Sequence, residues 1–396
     1  MLTYREAQGI LIGMAKSFGT ETVALEQALG RVLAEPVIAD RDYPPFNRAT
    51  MDGYAIHSAD LQKDILEFIV AETIFAGQVS TTSLASGECY KIMTGASVPT
   101  FADLVIRRED IIEKDGFMMV QPGQYPAFQH IARQGEDVKA GERIIGPSVW
   151  CTPAMISVLA ALGKASVVVE KLPRVSLFTT GNEVVAVEKP VTAVQIRNSN
   201  SYLLKSLLQK WGVTPFLSEH IRDDKNELYN IFQQGIKGDI IIISGGVSAG
   251  DADYVPEILA SLGVIKLFHK VAIKPGKPMW CGYFPNGAMV FALPGNPFSS
   301  LVTFTLFVEI FLSHCFGCGD PGIRTLPFMG HRSKKSDVDE FFPVSLQESP
   351  FGALPVSFNG SGDILAALFA DGIAEHPSAI NTLSPLASVS FRSFKK

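Results

Sequence analysis

The stretch that decides the fold lies at residues 239–254, DIIIISGGVSAGDADY. Its four consecutive isoleucines predict a strand that is buried on both faces, as strands of parallel sheets are. The glycines that follow let the backbone turn sharply, and successive N–H groups in such a turn can bind an anion. Two aspartates beside the turn can hold a divalent cation, so the pattern indicates phosphate chemistry, with an ordinary strand-to-helix turn as the alternative. The residues concerned are Gly245, Gly246, Gly250, Asp251 and Asp253.

The same arrangement recurs along this part of the chain. Apolar, β-branched or aromatic runs end in polar, Gly- or Pro-containing loops, and segments with a helical pattern lie between the runs. Alternating strands and helices predict one doubly wound α/β domain over residues 172–320, with its ligand beyond the carboxyl ends of the strands. The predicted strands are 174–178, 214–221, 240–243 and 288–293, and the predicted helices are 201–211, 227–234 and 298–312.

Acidic side chains follow three of these strands. Because the carboxyl ends of parallel strands meet at one edge of the sheet, we expect Glu183, Asp223 and Asp253 in one cleft, together with the loop at Pro294. Mg²⁺ is typically held by one or two carboxylates plus ligand phosphates. The carboxylates therefore either bind Mg²⁺ or orient a water molecule, and the pattern leaves both roles open.

A basic loop, KPGKP at residues 274–278, is expected at the same edge. Lys274 and Lys277 flank a stiff Pro-Gly turn, and two ammonium groups on a rigid loop suit phosphate or another oxyanion. The helix that begins near Pro297 adds N–H groups that favour an anion. Acids, lysines and a helix N-terminus at one edge predict a nucleotide-like or phosphorylated ligand.

Length and charge exclude several classes of protein. The 396 residues are too many for one ordinary domain, and the net charge of −6 argues against general nucleic-acid binding. No run is expected to be long and apolar enough to span a bilayer. Residues 1–19 are predicted to form an amphipathic helix rather than a signal peptide, because Lys16 interrupts the apolar stretch and a cleavage site is lacking. We therefore expect a cytoplasmic protein.

The five cysteines are scattered and odd in number, which fits reduced thiols better than a disulfide framework. Cys315 and Cys318 form a CxxC pair that is typical of half a zinc site or of a redox motif. The sequence has no second pair, and this one follows a helix rather than opening one after a strand. A structural role is therefore favoured.

Seven motifs follow one another in a fixed order: PPFNRATMDGYA, IMTGASVP, TTGNE, QIRNSN, SGGVSAGDADY, KPGKP and LPGNPFSS. As a set, from Pro44 to about Phe304, they resemble the molybdopterin molybdenumtransferase family, the MoeA proteins and the E domain of gephyrin. The resemblance implies a Mg²⁺-dependent reaction in which adenylylated molybdopterin is hydrolysed, molybdate is inserted at the dithiolene, and molybdenum cofactor and AMP are released.

The resemblance also implies a multidomain α/β plus β architecture. A discontinuous N-terminal mixed domain is expected at 1–45 and 135–171, with a β-rich lobe inserted at 46–134. The molybdopterin-binding-like catalytic domain follows at 172–320, and a C-terminal β domain at 321–396. Short apolar runs separated by turns at 65–121 and sequences such as FFPVSL support the two β regions.

Site residues are carried over from the family by motif. Catalytic roles fall to Asp52, Thr94, Glu183, Asp223 and Asp253, of which Glu183, Asp223 and Asp253 are the candidates for binding Mg²⁺. Substrate and anion binding falls to Gly245, Gly246, Ser248, Lys274, Lys277, Pro294, Pro297, Ser299 and Ser361.

Asp52 and Thr94 lie far from the α/β segment in sequence, and bare Asp-Gly and Thr-Gly pairs are commonly just turns. The family is a homodimer with its site between protomers, so a homodimer is expected here too. A molybdopterin adenylyltransferase and molybdoenzyme apoproteins are the expected protein partners; nucleic acid and membrane are not expected.

Two other functions remain alternatives. The α/β domain also resembles that of enzymes that adenylylate molybdopterin or act on nucleotide cofactors, but the MDGYA and KPGKP segments argue against that reading. A non-catalytic scaffold is the second alternative, since gephyrin also binds receptor tails. The intact set of acids and lysines favours an enzyme.

The chain departs from its family in the C-terminal domain. Relatives often carry an arginine where this chain has Val338, and a basic residue there can help to bind molybdate. Valine does not bind an oxyanion, and a lost charged hydrogen bond costs roughly 1.5–3 kcal/mol unless Arg332, Lys334 or Lys335 replaces it. We expect weak molybdate binding that depends mainly on Lys277, with Ser361 in the turn at 359–362 still able to face the anion.

Overall fold

The computed structural model describes residues 1–247 and 254–394. The chain divides into two compact units. The first contains Met1–Ala34, Ser148–Thr152 and Ser166–Lys396, and the second contains Glu35–Pro147 and Pro153–Ala165. The four-domain division drawn from the sequence stays a prediction.

The first unit is built on a six-stranded sheet whose strands we number β1 to β6. They are β1 (Val175–Thr180), β2 (Leu217–Ile221), β3 (Ile240–Ser244), β4 (Ile265–His269), β5 (Trp280–Tyr283) and β6 (Met289–Leu293). The spatial order is β2-β1-β3-β6-β5-β4. Strands β2, β1, β3 and β6 are parallel to one another, and β5 pairs antiparallel with β6 on one side and with β4 on the other. The order changes direction between β1 and β3, where ligands of doubly wound folds bind.

Helices cover both faces of this sheet, which confirms the doubly wound α/β prediction. They are α1 (Ser199–Lys210), α2 (Lys225–Gly235), α3 (Val255–Ser261) and the helix α4 (Pro297–Cys315), which contains a π-helical turn at Phe304–Val308.

Alternate residues of β3 explain the two layers. Ile240 and Ile242 join the core that contains α1 and α4, whereas Ile241 and Ile243 join the core that contains α2 and α3. All four side chains are 0% exposed. A strand buried on both faces requires apolar residues at every position, and this is why the run of isoleucines predicted it correctly.

The rest of the first unit contains a helix, a second sheet and a C-terminal sheet. The helix is Tyr4–Met14, and the second sheet contains Thr20–Ala24, Val32–Leu33, Val149–Trp150 and Ser166–Glu170. The C-terminal sheet contains Ile273–Lys274, Ile323–Pro327, Asp339–Glu348, Phe351–Pro355, Gly372–His376 and Ser388–Ser393. Short pairs join Val184–Val185 to Ile196–Arg197 and Arg332–Ser333 to Thr382–Leu383.

The second unit is mainly β, as expected for the inserted lobe. Its six-stranded sheet contains Gly53–Ile56, Glu67–Ile74, Glu88–Ile92, Leu104–Arg107, Ile111–Lys114 and Phe117–Val120. Arg48–Ala49 pairs with Ile131–Ala132, and Val37–Ile38 pairs with Arg143–Ile145. Its helices are Ser58–Leu61 and Pro153–Ala161.

Two expectations need correction. The amino-acid pattern at residues 21–40 predicts a segment that begins as a helix and becomes extended, but Thr20–Ala24 is a strand paired with Ser166–Glu170, because tertiary pairing overrides the weak helical propensity of this segment. The second expectation is that no run is long and apolar enough to span a bilayer. In the described residues α4 meets that test by length and composition; 94% of its apolar window is buried, and buried core helices pass the same test.

Candidate active site

A cavity of about 910 Å³ opens beyond the carboxyl ends of β1, β3 and β6. Each strand contributes its last residue or the loop that follows it, as the strand order requires. The described lining residues all belong to the first unit. They include Thr180, Gly181, Glu183, Arg197, Asn198, Ser199, Asn200, Asp223, Ser244, Gly245, Gly246, Pro294, Gly295, Asn296 and Pro297.

Two of the predicted carboxylates, Glu183 and Asp223, line this cavity. The loops after β1 and β2 are tied to each other, because Asn182 N donates to Asp223 Oδ2 at 3.3 Å and Asp223 N donates to Asn182 Oδ1 at 3.2 Å. This pair fixes the position of Asp223 relative to the β1 loop. The predicted residues Asp253 and Ser248 lie outside the described residues.

The donor set fits Mg²⁺ bound together with a ligand. Within residues 1–247 and 254–394, no three acidic, histidine or cysteine side chains form a group that could hold a metal ion. Mg²⁺ does not need such a group, since one or two carboxylates plus ligand phosphates are its usual ligands. Glu183 and Asp223 both line the cavity and so supply two carboxylates.

The turn after β3 requires glycine. Gly245 and Gly246 have φ of +105° and +65°, where side chains are rarely accommodated. A Cβ at Gly245 would lie 2.7 Å from Thr180 Oγ1 and 2.9 Å from Thr180 O, so the absence of a side chain lets this turn pack against the end of β1. Both glycines line the cavity, and their role in binding the ligand stays a prediction.

The loop after β6 also reaches the cavity. Pro294 and Pro297 line it, and Ser361 lies behind them, since Asn296 Nδ2 donates to Ser361 Oγ at 2.9 Å and Phe298 N donates to Ser361 O at 3.2 Å. Ser299 is 3% exposed and is not among the described lining residues, so this geometry does not support its predicted contact with an anion.

The two predicted lysines take other positions. Neither Lys274 nor Lys277 is among the described lining residues; Arg197 is the basic side chain there. Lys274 Nζ forms an ion pair with Glu340 Oε1 at 3.3 Å, because Ile273–Lys274 pairs with the strand that begins at Asp339. Lys277 is exposed, and its role in anion binding stays a prediction.

Sequence reasoning missed several polar side chains on the cavity wall. Asn200 Nδ2 donates to Ser244 Oγ at 2.9 Å and to Gly295 O at 2.6 Å, so this one amide joins α1 to the ends of β3 and β6. Asn198 Nδ2 donates to Thr179 Oγ1 at 2.8 Å. The TTGNE and QIRNSN motifs contain these residues and were the available signal, but only Glu183 was selected from them.

In the second unit, Asp52 and Thr94 contact each other directly. Thr94 N and Thr94 Oγ1 each donate to Asp52 Oδ1 at 2.7 Å. The backbone and hydroxyl hydrogen bonds from Thr94, with the positive charge of Arg108, lower the pKa of Asp52 below its ordinary value. The sequence assigned both residues to the active site without predicting this contact, and their catalytic roles stay predictions.

The surroundings of the CxxC pair favour a structural role. Burial raises the pKa of the Cys315 thiol to about 12, which disfavours the thiolate that redox chemistry and metal binding need. The Cys318 thiol donates to Phe316 O at 3.8 Å.

Comparisons with known proteins identify the family of this chain. Residues 2–163 match the family described as the MoeA N-terminal region (domain I and II), and residues 176–314 match the probable molybdopterin binding domain. The chain is 34% identical to a molybdopterin molybdenumtransferase of Staphylococcus aureus, with 93% of this chain and 89% of the relative covered. A Synechocystis molybdopterin molybdenumtransferase is 32% identical, with 95% and 96% covered. The chain belongs to the molybdopterin molybdenumtransferase family.

A solved structure is similar to this chain along nearly all of its sequence. The molybdopterin biosynthesis MoeA protein of Pyrococcus horikoshii is 28% identical, covers 99% of this chain and 100% of its own, and superposes with a TM-score of 0.84. The resemblance drawn from the seven motifs is therefore confirmed. The chain is an enzyme of molybdenum cofactor biosynthesis, a molybdopterin molybdenumtransferase.

The basic residues around Val338 differ in their contacts. Lys334 is buried, and its ammonium donates to the carbonyl oxygens of Ser336, Val338 and Ser378 at 2.9–3.2 Å. Arg332 Nη2 donates to Glu340 Oε2 at 2.6 Å. Two of the three residues considered as substitutes for the missing arginine are thus engaged within the protein, and Lys335 is exposed.

Proposed function

We propose that this chain catalyses the Mg²⁺-dependent insertion of molybdate into adenylylated molybdopterin, with release of AMP and formation of molybdenum cofactor. The observation that carries the proposal is the cavity at the switch point of the sheet. Two carboxylates, a glycine turn and the first turn of α1 meet there around a volume that suits a phosphorylated ligand.

Glu183 and Asp223, together with Asp253, are proposed to hold Mg²⁺, which when bound neutralises charge on the ligand phosphates. A carboxylate that does not contact the metal orients the water that attacks the pyrophosphate. Asp223 is suited to either role because Asn182 already fixes its position. Lys277 is proposed to attract molybdate, because Arg332 and Lys334 are engaged elsewhere.

We propose further that two copies form a homodimer in which the Asp52–Thr94 pair of one protomer serves the cavity of its partner. The basis is the family resemblance, since both residues match family active-site positions. A cytoplasmic location is proposed on the same basis. A molybdopterin adenylyltransferase is proposed to supply the substrate, and molybdoenzyme apoproteins to accept the product.

The test measures AMP release from adenylylated molybdopterin in the presence of Mg²⁺ and molybdate. Asp223→Asn is expected to lower the rate about 100-fold, the usual scale for loss of an acid-base group, and Asp253→Asn to behave alike. Asp224→Asn is the matched control, because Asp224 caps α2 through hydrogen bonds to Asn226 N and Glu227 N, and asparagine retains an acceptor.

Chelation of Mg²⁺ by EDTA is expected to stop AMP release, and added Mg²⁺ to restore it. Full activity of Asp223→Asn, or of the chelated enzyme, contradicts the proposed roles. AMP release that needs no molybdate would separate the hydrolytic step from metal insertion.

A further inference from the structure

A second cavity, of about 330 Å³, is lined by residues of the helix Tyr4–Met14 and of the C-terminal sheet. Its described lining residues all belong to the first unit, and none of them lines the active-site cavity. The volume lies at the lower end of the range for small-molecule sites, so a small ligand can enter without any rearrangement of the fold.

Arg392 is the buried charged residue in this cavity wall, and it is only 8% exposed. On its strand, Val389 and Phe391 join the apolar core on one face of the C-terminal sheet, so Ser390 and Arg392 point to the opposite face, where the cavity lies. Within the described residues its guanidinium forms no hydrogen bond and no ion pair. Its unpartnered nitrogen atoms are not fully buried, so a ligand can reach them.

A buried positive charge that lacks a direct partner is costly for the folded protein. Burial lowers the pKa of Arg392 below its ordinary value, and the negative charges of Asp320, Glu309 and Glu375 nearby offset only part of this effect. Glu375 is itself engaged, because Tyr4 Oη donates to its Oε2 at 2.8 Å. A hydrogen-bond acceptor bound in the cavity would therefore satisfy a group that the fold leaves unsatisfied.

The rest of the wall indicates which acceptor fits. The planar fork of an arginine matches the two oxygens of a carboxylate. Glu375 and Asp320 also line the cavity and would repel a doubly charged phosphate about twice as strongly as a singly charged acid. Apolar side chains complete the wall and suit a short hydrocarbon tail; they are Ile12, Ile323, Phe341 and Ile373.

We propose that Arg392 and Ser390 bind the carboxylate of a small monocarboxylic acid in this cavity, apart from the active site. The guanidinium donates two N–H groups to the two carboxylate oxygens, and the Ser390 hydroxyl donates a further hydrogen bond. The hydrocarbon part of the acid packs against the apolar side chains. Binding does not depend on the proposed reaction, because no residue assigned to that reaction lines the cavity.

The test is calorimetric titration of the full chain with butyrate, in a buffer that contains no other carboxylate. Butyramide has a similar shape without the charge, and inorganic phosphate is the alternative anion. Arg392→Met removes the guanidinium at similar side-chain length. Arg324→Met is the matched control, because Arg324 lies on the neighbouring strand, 5.9 Å from the ring centres of Phe351 and Phe391, and does not line the cavity.

Butyrate is expected to bind the wild type about tenfold or more tightly than butyramide or phosphate. Arg392→Met should weaken butyrate binding about tenfold or more, the usual effect of losing hydrogen bonds to a charged group, and Arg324→Met should leave it unchanged. Without ligand, Arg392→Met should keep or raise the thermal stability, because it removes a buried charge that has no direct partner. A purely structural arginine would lower the stability when removed.

If Arg392→Met does not fold, Ile323→Asp decides. Ile323 lies opposite Arg392 on the adjacent strand, lines the cavity and is 47% exposed, so an aspartate there brings a carboxylate to the guanidinium. Ile323→Asp should raise the thermal stability and abolish butyrate binding, whereas the uncharged Ile323→Asn should still bind butyrate.

A wild-type chain that does not bind butyrate overturns the proposal and means that water alone satisfies Arg392. Equal affinity for butyrate and butyramide, or tighter binding of phosphate, also overturns it. So does unchanged butyrate affinity in folded Arg392→Met or Ile323→Asp. None of these results bears on the AMP-release assay, so the proposed function is tested separately.

Discussion

Glu340 is the carboxylate on which three neighbouring side chains converge. Burial raises its pKa, but hydrogen bonds from Arg332 and Ser336 and the charge of Arg332, with a further bond from Lys274, lower it from 4.5 to about 2. A carboxylate with a lowered folded-state pKa stabilises the protein above pH 4.5, and this contribution is lost as the pH falls toward 2.

Glu340→Gln should therefore destabilise the protein most at neutral pH. The difference in unfolding free energy between wild type and variant is expected to shrink by roughly 2–3 kcal/mol between pH 7 and pH 2. Urea denaturation at pH 7, 4.5 and 3 measures the trend. A difference that does not change with pH would show that Glu340 does not titrate as described.

Lys334 and Lys277 are predicted to have different roles: Lys334 stabilises the fold, and Lys277 attracts molybdate. Lys334→Ala leaves three carbonyl oxygens without their donor, so it should lower stability by about 2–4 kcal/mol, whereas the exposed Lys335→Ala should change it by less than about 0.5 kcal/mol. Denaturation curves measure both.

Lys277→Ala should instead raise the molybdate concentration that gives half-maximal AMP release, with stability nearly unchanged. If Lys334→Ala alone raises that concentration in its folded fraction, the anion site lies mainly on the C-terminal sheet and the assignment to Lys277 is wrong.

At the scale of elements, the turn that follows β3 is constrained both by its backbone conformation and by neighbouring atoms. Gly245 combines a φ of +105° with contacts to Thr180 under 3.0 Å for any added Cβ. Gly263 ends α3 with a φ of +81°, but nothing lies within 4 Å of an added Cβ. A comparison of the two positions therefore separates the cost of a positive φ from the cost of a steric clash.

Gly263→Ala is expected to cost about 1 kcal/mol, the backbone term alone. Gly245→Ala should cost at least about twice as much, because β1 and the turn must move apart. Thermal unfolding measures both costs. Equal costs in the two variants would mean that the turn relaxes freely around an added side chain.

At the scale of the whole molecule, the homodimer proposal predicts activity that depends on association. AMP release per chain should fall when the protein is diluted below its dimer dissociation constant, because Asp52 and Thr94 are proposed to act on the partner's cavity. Analytical ultracentrifugation and activity over the same dilution series test this. A fully active monomer would contradict it.

Local patterns predicted the α/β fold well, and tertiary pairing explains what they missed. The apolar residues of β3 and of α4 indicate from the sequence alone that both elements are buried. The antiparallel strands β4 and β5 escaped prediction because the KPGKP turn lies between them. The sequence analysis expected Lys274 beside the acids of the cavity. Its actual partner, Glu340, lies 66 residues away, and no local pattern predicts a pairing over that separation. Thr180 and Asn200 lie in the TTGNE and QIRNSN motifs, but only the folded chain shows that Thr180 Oγ1 and Asn200 Oδ1 are buried with no hydrogen-bond partner among the described residues.

The central position of β3 has a consequence for hydrogen exchange. β3 is bonded on both sides, to β1 and to β6, and all five of its residues are buried. Amides in such a strand exchange with solvent only when the whole layer unfolds. The amides of β3 should therefore be among the slowest in the α/β sheet to take up deuterium, so that the end of the strand at the cavity keeps its position when a ligand binds.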